Sequence, residues 1–506
     1  MAQYLICEDK YSILLKSTET AKMKSNLFKT SLFLLAGLVL FSCGKEKETV
    51  NLENCLATYV ENTEDILLFG SMDPLGIMKK ADYQNIPKVN VVIEDYINMY
   101  QESLVLESGV YFAASGKNGI EGNPDFVAFL AIKNKDSLQA RMLEDGYDFE
   151  KQEKFDYAFD GDVSLGVNNE VLVIYIQNDL DAGVSSLEST FKKLKMKATD
   201  EKLKKEVVRE GDIHLSIYNT RMINPNAKND VFSDENKLAN LLKLTSNDRI
   251  TLSVHFEDGA MRLVTKTDLG EESKKWNYLN KDDKATILSD LGGGAPNFAF
   301  SLNMNPRLFQ EYIETYSGKS LYQMLEKADP KGQQILMMAG GKLSNIINGR
   351  AGVAVTAPQP GEFSTFPATT VYSGLGAQGE AIAQFLITDE YLEQAEAEAY
   401  IDEHELVVTN KGENIKSAIT VPKGCEEFGK HGASMFITLE GIDLDSFGMG
   451  GGAFIANMID HIFGYMDAEG GEFKIQLKDT KVNFLKQLID GAVLQFEDKL
   501  SRMSIY

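Results

Sequence analysis

Four things are scarce in this 506-residue chain: histidine, cysteine, positive charge and long apolar runs. The five histidines are His214, His255, His404, His431 and His461, and none makes an HExxH or other metal-ligand spacing. His404 stands among Asp402, Glu403 and Glu405. Neighbours along a strand point to opposite faces and a metal needs converging ligands, so this reads as a solvated strand. No metal or cofactor site is expected. No G-x-S-x-G elbow occurs, and the carboxylates are too many for one pair to stand out as a glycosidase acid and base, so no catalytic residue is assigned. Lys and Arg number 51 against 75 Asp and Glu, a formal charge of −24. Such a surface repels phosphate backbones and anionic lipid, which excludes nucleic acid as a partner. No run reaches the ~20 apolar residues that span a bilayer.

What the first part of the chain does have is a leader. Lys24 and Lys29 precede an uncharged apolar run from Leu32 to Phe41, which ends in Leu40-Phe41-Ser42-Cys43-Gly44. The run suits the core of a signal peptide, and its end resembles a bacterial lipobox. The Cys43 thiol would take a diacylglyceryl group, a signal peptidase would cut before it, and the new amine could be acylated. Two or three chains satisfy the requirement of more than one for stable anchoring. Residues 1–22 fit no targeting pattern and read as an N-terminal extension, with Met23 as the start. Residues 23–42 are then the signal peptide and 43–58 a lipidated tether. Removing residues 1–42, with their five lysines and three acids, leaves 46 basic and 72 acidic residues, a formal charge of −26.

Cys7 would leave with the leader and Cys43 would be acylated. Cys55 and Cys425 remain, in an oxidising compartment. A disulfide between them and a pair of buried thiols are both open readings.

The body repeats. DILLFGSMDPLGIM from Asp65 is matched by NFAFSLNMNPRLFQ from Asn297, an apolar strand followed by Met-Asp/Asn-Pro and a helical turn. Asp73 or Asn305 would cap the helix, and Pro74 or Pro306 at its first position forfeits no hydrogen bond. In the same order, GVYFAAS from Gly109 matches GVAVTAP from Gly352, and PDFVAFLAIKNKDSLQARML from Pro124 matches PATTVYSGLGAQGEAIAQFL from Pro367. NEVLVIYIQN from Asn169 matches HELVVTNKGEN from His404, and DIHLSIYN from Asp212 matches ASMFITLE from Ala433. SVHFEDGAMRLVTKT from Ser253 and GYMDAEGGEFKIQLK from Gly464 read as hairpins. The expected fold is α+β in two tandem homologous halves, 59–281 and 282–506, each an antiparallel or mixed sheet with helices on one face. Helices are expected at Val89–Leu104, Ser137–Glu144, Glu235–Leu244, Gly332–Ile347, Glu380–Leu386 and Ala453–Phe463, and a hinge at the LGGGAP of Leu291–Pro296.

A leader ending in SCG, the opening Asp65-Ile66-Leu67-Leu68-Phe69-Gly70-Ser71-Met72-Asp73-Pro74-Leu75 and a duplicated body together resemble a family of Bacteroidota lipoproteins. That family is classed as a domain of unknown function, with a typical start A-x-x-V-V-S-x-D-x-K-S-L. The resemblance covers most of the mature chain and implies an α+β fold in the cell envelope. It carries no catalytic residues. Gly44 stands where an aspartate would signal retention at the inner membrane, which favours the outer membrane. Lys45-Glu46-Lys47-Glu48 partly matches acidic surface-export tags.

Four further motifs have ordinary readings. Gly374-Leu375-Gly376-Ala377-Gln378-Gly379 fits the dinucleotide fingerprint but reads as a Gly-rich strand–helix turn. Asp160 and Asp162 lack EF-hand spacing and read as a turn. Phe191–Glu206 carries seven lysines on a helical pattern, a solvated helix with an anionic partner as the sharper alternative. Phe447–Met466 reads as a packed core helix. The functional expectation is a non-enzymatic envelope lipoprotein, facing the periplasm or the surface. It would hold a protein or small-molecule ligand in the cleft between the halves, where pockets prefer to form. The alternatives are a hydrolase acting on an envelope or dietary polymer, and a purely structural component.

Overall fold

The computed structural model describes residues 50–503 except 87–88, 118–122, 178–182, 219–248, 271–273, 318, 329, 358–366, 389–391, 394–395, 412–416 and 440–452. Cys43, the leader, the helix expected at Glu235–Leu244 and the start of the Phe447–Met466 segment lie outside the described residues. The fold is α+β. The chain forms two units, and they are cut differently from the sequence halves. The first comprises residues to Glu64, Phe69–Ala114 and Asp125–Asp212; the second comprises Asp65–Leu68, Ser115–Pro124 and Ile213 onwards.

The first unit contains α1 (Leu52–Glu61), most of β1 (Ile66–Met72), α2 (Pro74–Lys80), α3 (Val89–Tyr100), β2 (Val110–Ser115), β3 (Asp125–Ala131) and α4 (Lys135–Glu144). It continues with β4 (Glu150–Lys151), β5 (Asp156–Asp160), β6 (Val163–Val167), β7 (Val171–Ile176), α5 (Gly183–Leu194) and α6 (Glu201–Glu206). Strands pair antiparallel in the order β4-β5-β6-β7-β3. Their apolar residues close over Leu75, Leu106, Leu138 and Met142. The Met-Asp-Pro motif works as its chemistry requires: Asp73 Oδ1 accepts from Gly76 N–H at 2.9 Å and Pro74 opens α2. Gly166 is needed for close approach, since a Cβ there would lie 2.6 Å from the Phe191 ring of α5. The lysine-rich stretch is two helices rather than one, because Asp200 starts a second helix by accepting from Lys202 and Leu203 N–H. Asp160, Gly161 and Asp162 form the turn between β5 and β6.

The second unit holds β8 (Ile213–Tyr218), β9 (Arg249–Glu257), β10 (Ala260–Asp268), β11 (Phe298–Asn303), α7 (Pro306–Ser317), α8 (Leu321–Ala328), α9 (Pro330–Met338) and β12 (Ile347–Thr356). Then come β13 (Ala368–Leu375), α10 (Gly379–Leu386), β14 (Glu398–Ile401), β15 (Glu405–Thr409), β16 (Ala433–Thr438), α11 (Ala453–Met458), β17 (Ile459–Asp467), β18 (Gly470–Leu477) and α12 (Phe484–Met503). One antiparallel sheet runs β8-β9-β10-β18-β17-β16-β11-β12-β13-β15-β14. The two sequence halves thus meet here as adjacent strands, with Ala260–Lys266 of β10 paired to Gly470–Gln476 of β18, and not across a cleft. Asn305 caps α7 by accepting from Arg307 and Leu308 N–H.

Three expectations are corrected. The helix expected over Gly332–Ile347 ends at Met338, where Gly340 and Gly341 take φ of 65° and 78° and return their N–H groups to Met337 and Leu336. The helix expected over Ala453–Phe463 stops at Met458, because Ile459–Asp467 is captured between β16 and β18. The LGGGAP hinge is a pinned turn: Gly292, Gly293 and Gly294 are all left-handed, Gly293 N–H donates to Ser417 O at 2.7 Å, and Gly294 O accepts from Thr420 N–H at 2.6 Å.

Candidate functional site

The sheet of the second unit is apolar on both faces. An antiparallel sheet ordinarily puts apolar side chains against its core and polar ones towards water. Here the covered face packs Ala299, Phe436, Phe463, Ala354, Tyr372 and Val407 with Ile287, Leu291, Cys425 and Phe428, and the sheet also buries polar pairs. Ser301 and Ser434 hydroxyls lie 2.6 Å apart, Thr370 and Thr409 2.8 Å apart, and His214 Nδ1 lies 3.1 Å from Ser253 Oγ. Each is a directly opposed cross-strand pair. Each buried polar group finds its partner across the ladder, so burial costs little.

The other face is hydrocarbon. Phe300 on β11 is opposed by Met435 on β16 and Val353 on β12. From Met435 the row continues through Gly464, Phe473, Leu263 and Val254 to Ile213 on β8. From Val353 it runs through Val371 and Val408 to Ala399 at the β14 edge. Eleven strands contribute one residue each and none is polar. All except Gly464 keep partial solvent access, and Val371 is 45% exposed. Flanking rows repeat the pattern: Phe298 lies against Ile437 and Val355, and Ile475 lies against Ile462 and Met261. Phe473 reaches over Gly464, where a Cβ would lie 3.1 Å from its ring. At the β9 end the first turn of α12 sits on this face, with Phe484 stacked on Phe256 at 6.5 Å.

A second feature is polar. His431 Nδ1–H donates to Asp467 Oδ2 at 2.7 Å, and its ring stacks on Tyr465 with centroids 3.8 Å apart. Asp467 Oδ1 also accepts from Gly432 N–H at 2.9 Å, and Lys281 Nζ lies 3.4 Å from Oδ2. Burial acts to raise the Asp467 pKa, but the Gly432 N–H, the His431 hydrogen bond and the charges of His431 and Lys281 outweigh it, so the group is held below its ordinary value. His431 Nε2 has no hydrogen-bond partner and lies 3.7 Å from Glu427 Oε2. The histidine lines a small cavity of about 10 Å³, room for a single water, with Asp282, Ser301, Asn303 and Arg350. Arg350 is held by Asp290 at 3.2 Å and lies over the Tyr372 ring.

The sequence-level candidates fall as follows. Cys43 is outside the described residues. Cys55 is buried on α1 and Cys425 is buried in the core of the second unit; both thiols are free, and burial pushes each up to about 12. The Gly374–Gly379 fingerprint lies on an antiparallel strand. Its N–H groups are already spent: Gly376 donates to Ile346 O at 3.0 Å, Gln378 to Asn345 O at 2.8 Å and Gly379 to Gly376 O at 2.9 Å. Those three N–H groups are therefore not offered to a phosphate as the fingerprint requires. His404 is 80% exposed in the turn before β15. The apolar face itself was not anticipated. Its signal is present in IHLSIY, NFAFSLN and ASMFIT, but apolar residues lie on both faces, with Phe436 of the last buried in the core, and alternation alone does not say which set is covered.

No family model matches the chain, and no curated protein matches it. Among solved structures, crystal form III of TP0453 is 11% identical, with a TM-score of 0.26, over 44% of this chain and 82% of that one. Crystal form I of TP0453 is 12% identical, with a TM-score of 0.25, over 45% and 81%. Likeness at this level carries no argument about fold or function.

Proposed function

We propose that this chain is an envelope lipoprotein, held on the outer membrane by lipid on Cys43, that binds an apolar partner and performs no chemistry of its own. The observation that carries the binding reading is the row through Phe300. Monomers rarely leave a contiguous apolar patch of more than a few hundred Å² without an interaction to explain it. The anchor reading rests on the apolar run ending in Ser42-Cys43-Gly44 and on the resemblance to Bacteroidota lipoproteins. A tandem duplication of an α+β half accounts for the shared motifs. Supporting it, β3 pairs β7 as β13 pairs β15, and β8-β9-β10 run in sequence as β16-β17-β18 do.

Two measurements test this. Labelled palmitate enters the wild-type protein in cells and not a Cys43→Ala variant; entry into both would remove the anchor. The fluorescence of the apolar dye ANS rises on the folded, non-acylated Cys43→Ser protein and falls at least threefold when Phe300→Asp is added, with far-UV circular dichroism unchanged. No rise in fluorescence would contradict an accessible apolar face.

One observation favours a hydrolase instead. Asp467 orients His431 through Nδ1 and leaves the buried Nε2 without a hydrogen-bond partner, and an oriented imidazole with a free ring nitrogen is the starting arrangement of a general base. Under that reading, hydrolysis of an envelope polymer disappears in His431→Ala.

A further inference from the structure

We propose that the occupant of the apolar face is a single hydrocarbon chain, from a fatty acid or lipid separate from the protein's own anchor, lying across the strands along the row of Phe473, Gly464, Met435 and Phe300. The inference rests on the reading of that face as a binding surface and names its ligand class.

Hydrogen bonding narrows the choice first. The strands that carry this row are paired on both sides from β9 to β13, so their backbone N–H and C=O groups are engaged. The row's side chains have no donor or strong acceptor. A peptide or sugar laid there would bury polar groups unpaired, at about 1–3 kcal/mol each. Protein interfaces carry about one hydrogen bond per 100–200 Å², which this surface cannot supply. Hydrocarbon is the occupant that gives up nothing.

Size and charge argue against a second copy. From β8 to β14 the face spans ten interstrand gaps, about 48 Å, by three alternate residues, about 13 Å. That is on the order of 620 Å², below the ~800 Å² that each partner buries in a stable complex. Each copy also carries a formal charge of −24, which opposes association with another copy or with an anionic bilayer surface. An acyl chain brings no charge to the face, and the unbroken apolar row through Phe473, Gly464, Met435 and Phe300 gives it a track across the strands.

The test is photolabelling of the full Cys43→Ser protein with diazirine palmitic acid. Expected adducts map to peptides containing Phe300, Met435, Ile462 or Phe473, and excess unlabelled palmitate removes them. Phe300→Asp lowers labelling at least tenfold while thermal unfolding stays within a few degrees of the parent; Met435→Asp is the second variant should the first fail to fold. Absence of adducts, or adducts confined to other peptides, overturns the proposal. So does a dimer in analytical ultracentrifugation that is dispersed by Phe300→Asp, which would give the face to a second copy. ANS binding without palmitate labelling would leave the binding surface standing and remove the hydrocarbon chain.

Discussion

Replacing Asp467 with Asn removes the charge at the centre of the His431 cluster while keeping its shape. Oδ1 can still accept from Gly432 N–H, but Oδ2 becomes an amide facing His431 Nδ1, which it meets at 2.7 Å in the parent. A hydrogen bond to a charged group contributes about 1.5–3 kcal/mol. Lys281 is 57% exposed, so its loss adds at most about 1 kcal/mol. The expected cost is about 2 kcal/mol at pH 7, or a fall of roughly 3 °C in Tm for a unit of this size. Because the Asp467 pKa is depressed in the folded protein, its contribution is fully present above the ordinary Asp value of about 4 and is lost as pH falls through the folded value. Urea titrations of parent and Asp467→Asn at pH 7 and at successively lower pH should therefore converge in acid. A loss under 0.5 kcal/mol at pH 7, or a loss that does not shrink in acid, would refute this account of the cluster.

Other outcomes are expected on the same grounds. Mass-mapped alkylation at pH 8 should leave Cys55 and Cys425 unmodified in the folded protein and modify both in urea, since burial raises each thiol to about 12 and only the thiolate reacts. Asp73→Ala and Asn305→Ala should each cost about 1 kcal/mol in chemical denaturation, the usual loss for a helix N-cap. Gly166→Ala should cost about 1–3 kcal/mol by overpacking against Phe191 and Leu187; an unchanged midpoint would mean that α5 sits further from β6.

Local chemistry was legible in the sequence wherever one residue type has one use. Asp73-Pro74 and Asn305-Pro306 start helices, and Asp258-Gly259 turns a hairpin. Elements set by distant partners were harder to read. Ile459–Asp467 has the apolar content of a helix, and it is a strand because β16 and β18 lie on either side of it. The pairing of β10 with β18 was hidden for the same reason, since nothing local marks one as the partner of the other. The candidate face was least legible of all. Phe298, Phe300 and Leu302 have the pattern of a core, yet Ala299 and Ser301 are the buried set, because the smaller residues admit Phe436 and Leu291 closely on the covered side.

The central claim is that the sheet face carrying Phe300, Met435 and Val353 is apolar and accessible. The most direct measurement compares two neighbours on β12, with cysteine placed at Val353 or at Ala354 and alkylation followed in the folded protein with and without palmitate. The account predicts rapid modification at 353, protection at 354, where the native alanine is fully buried, and slowing at 353 by palmitate alone. Protection at 353 without added lipid, or faster modification at 354, would contradict it.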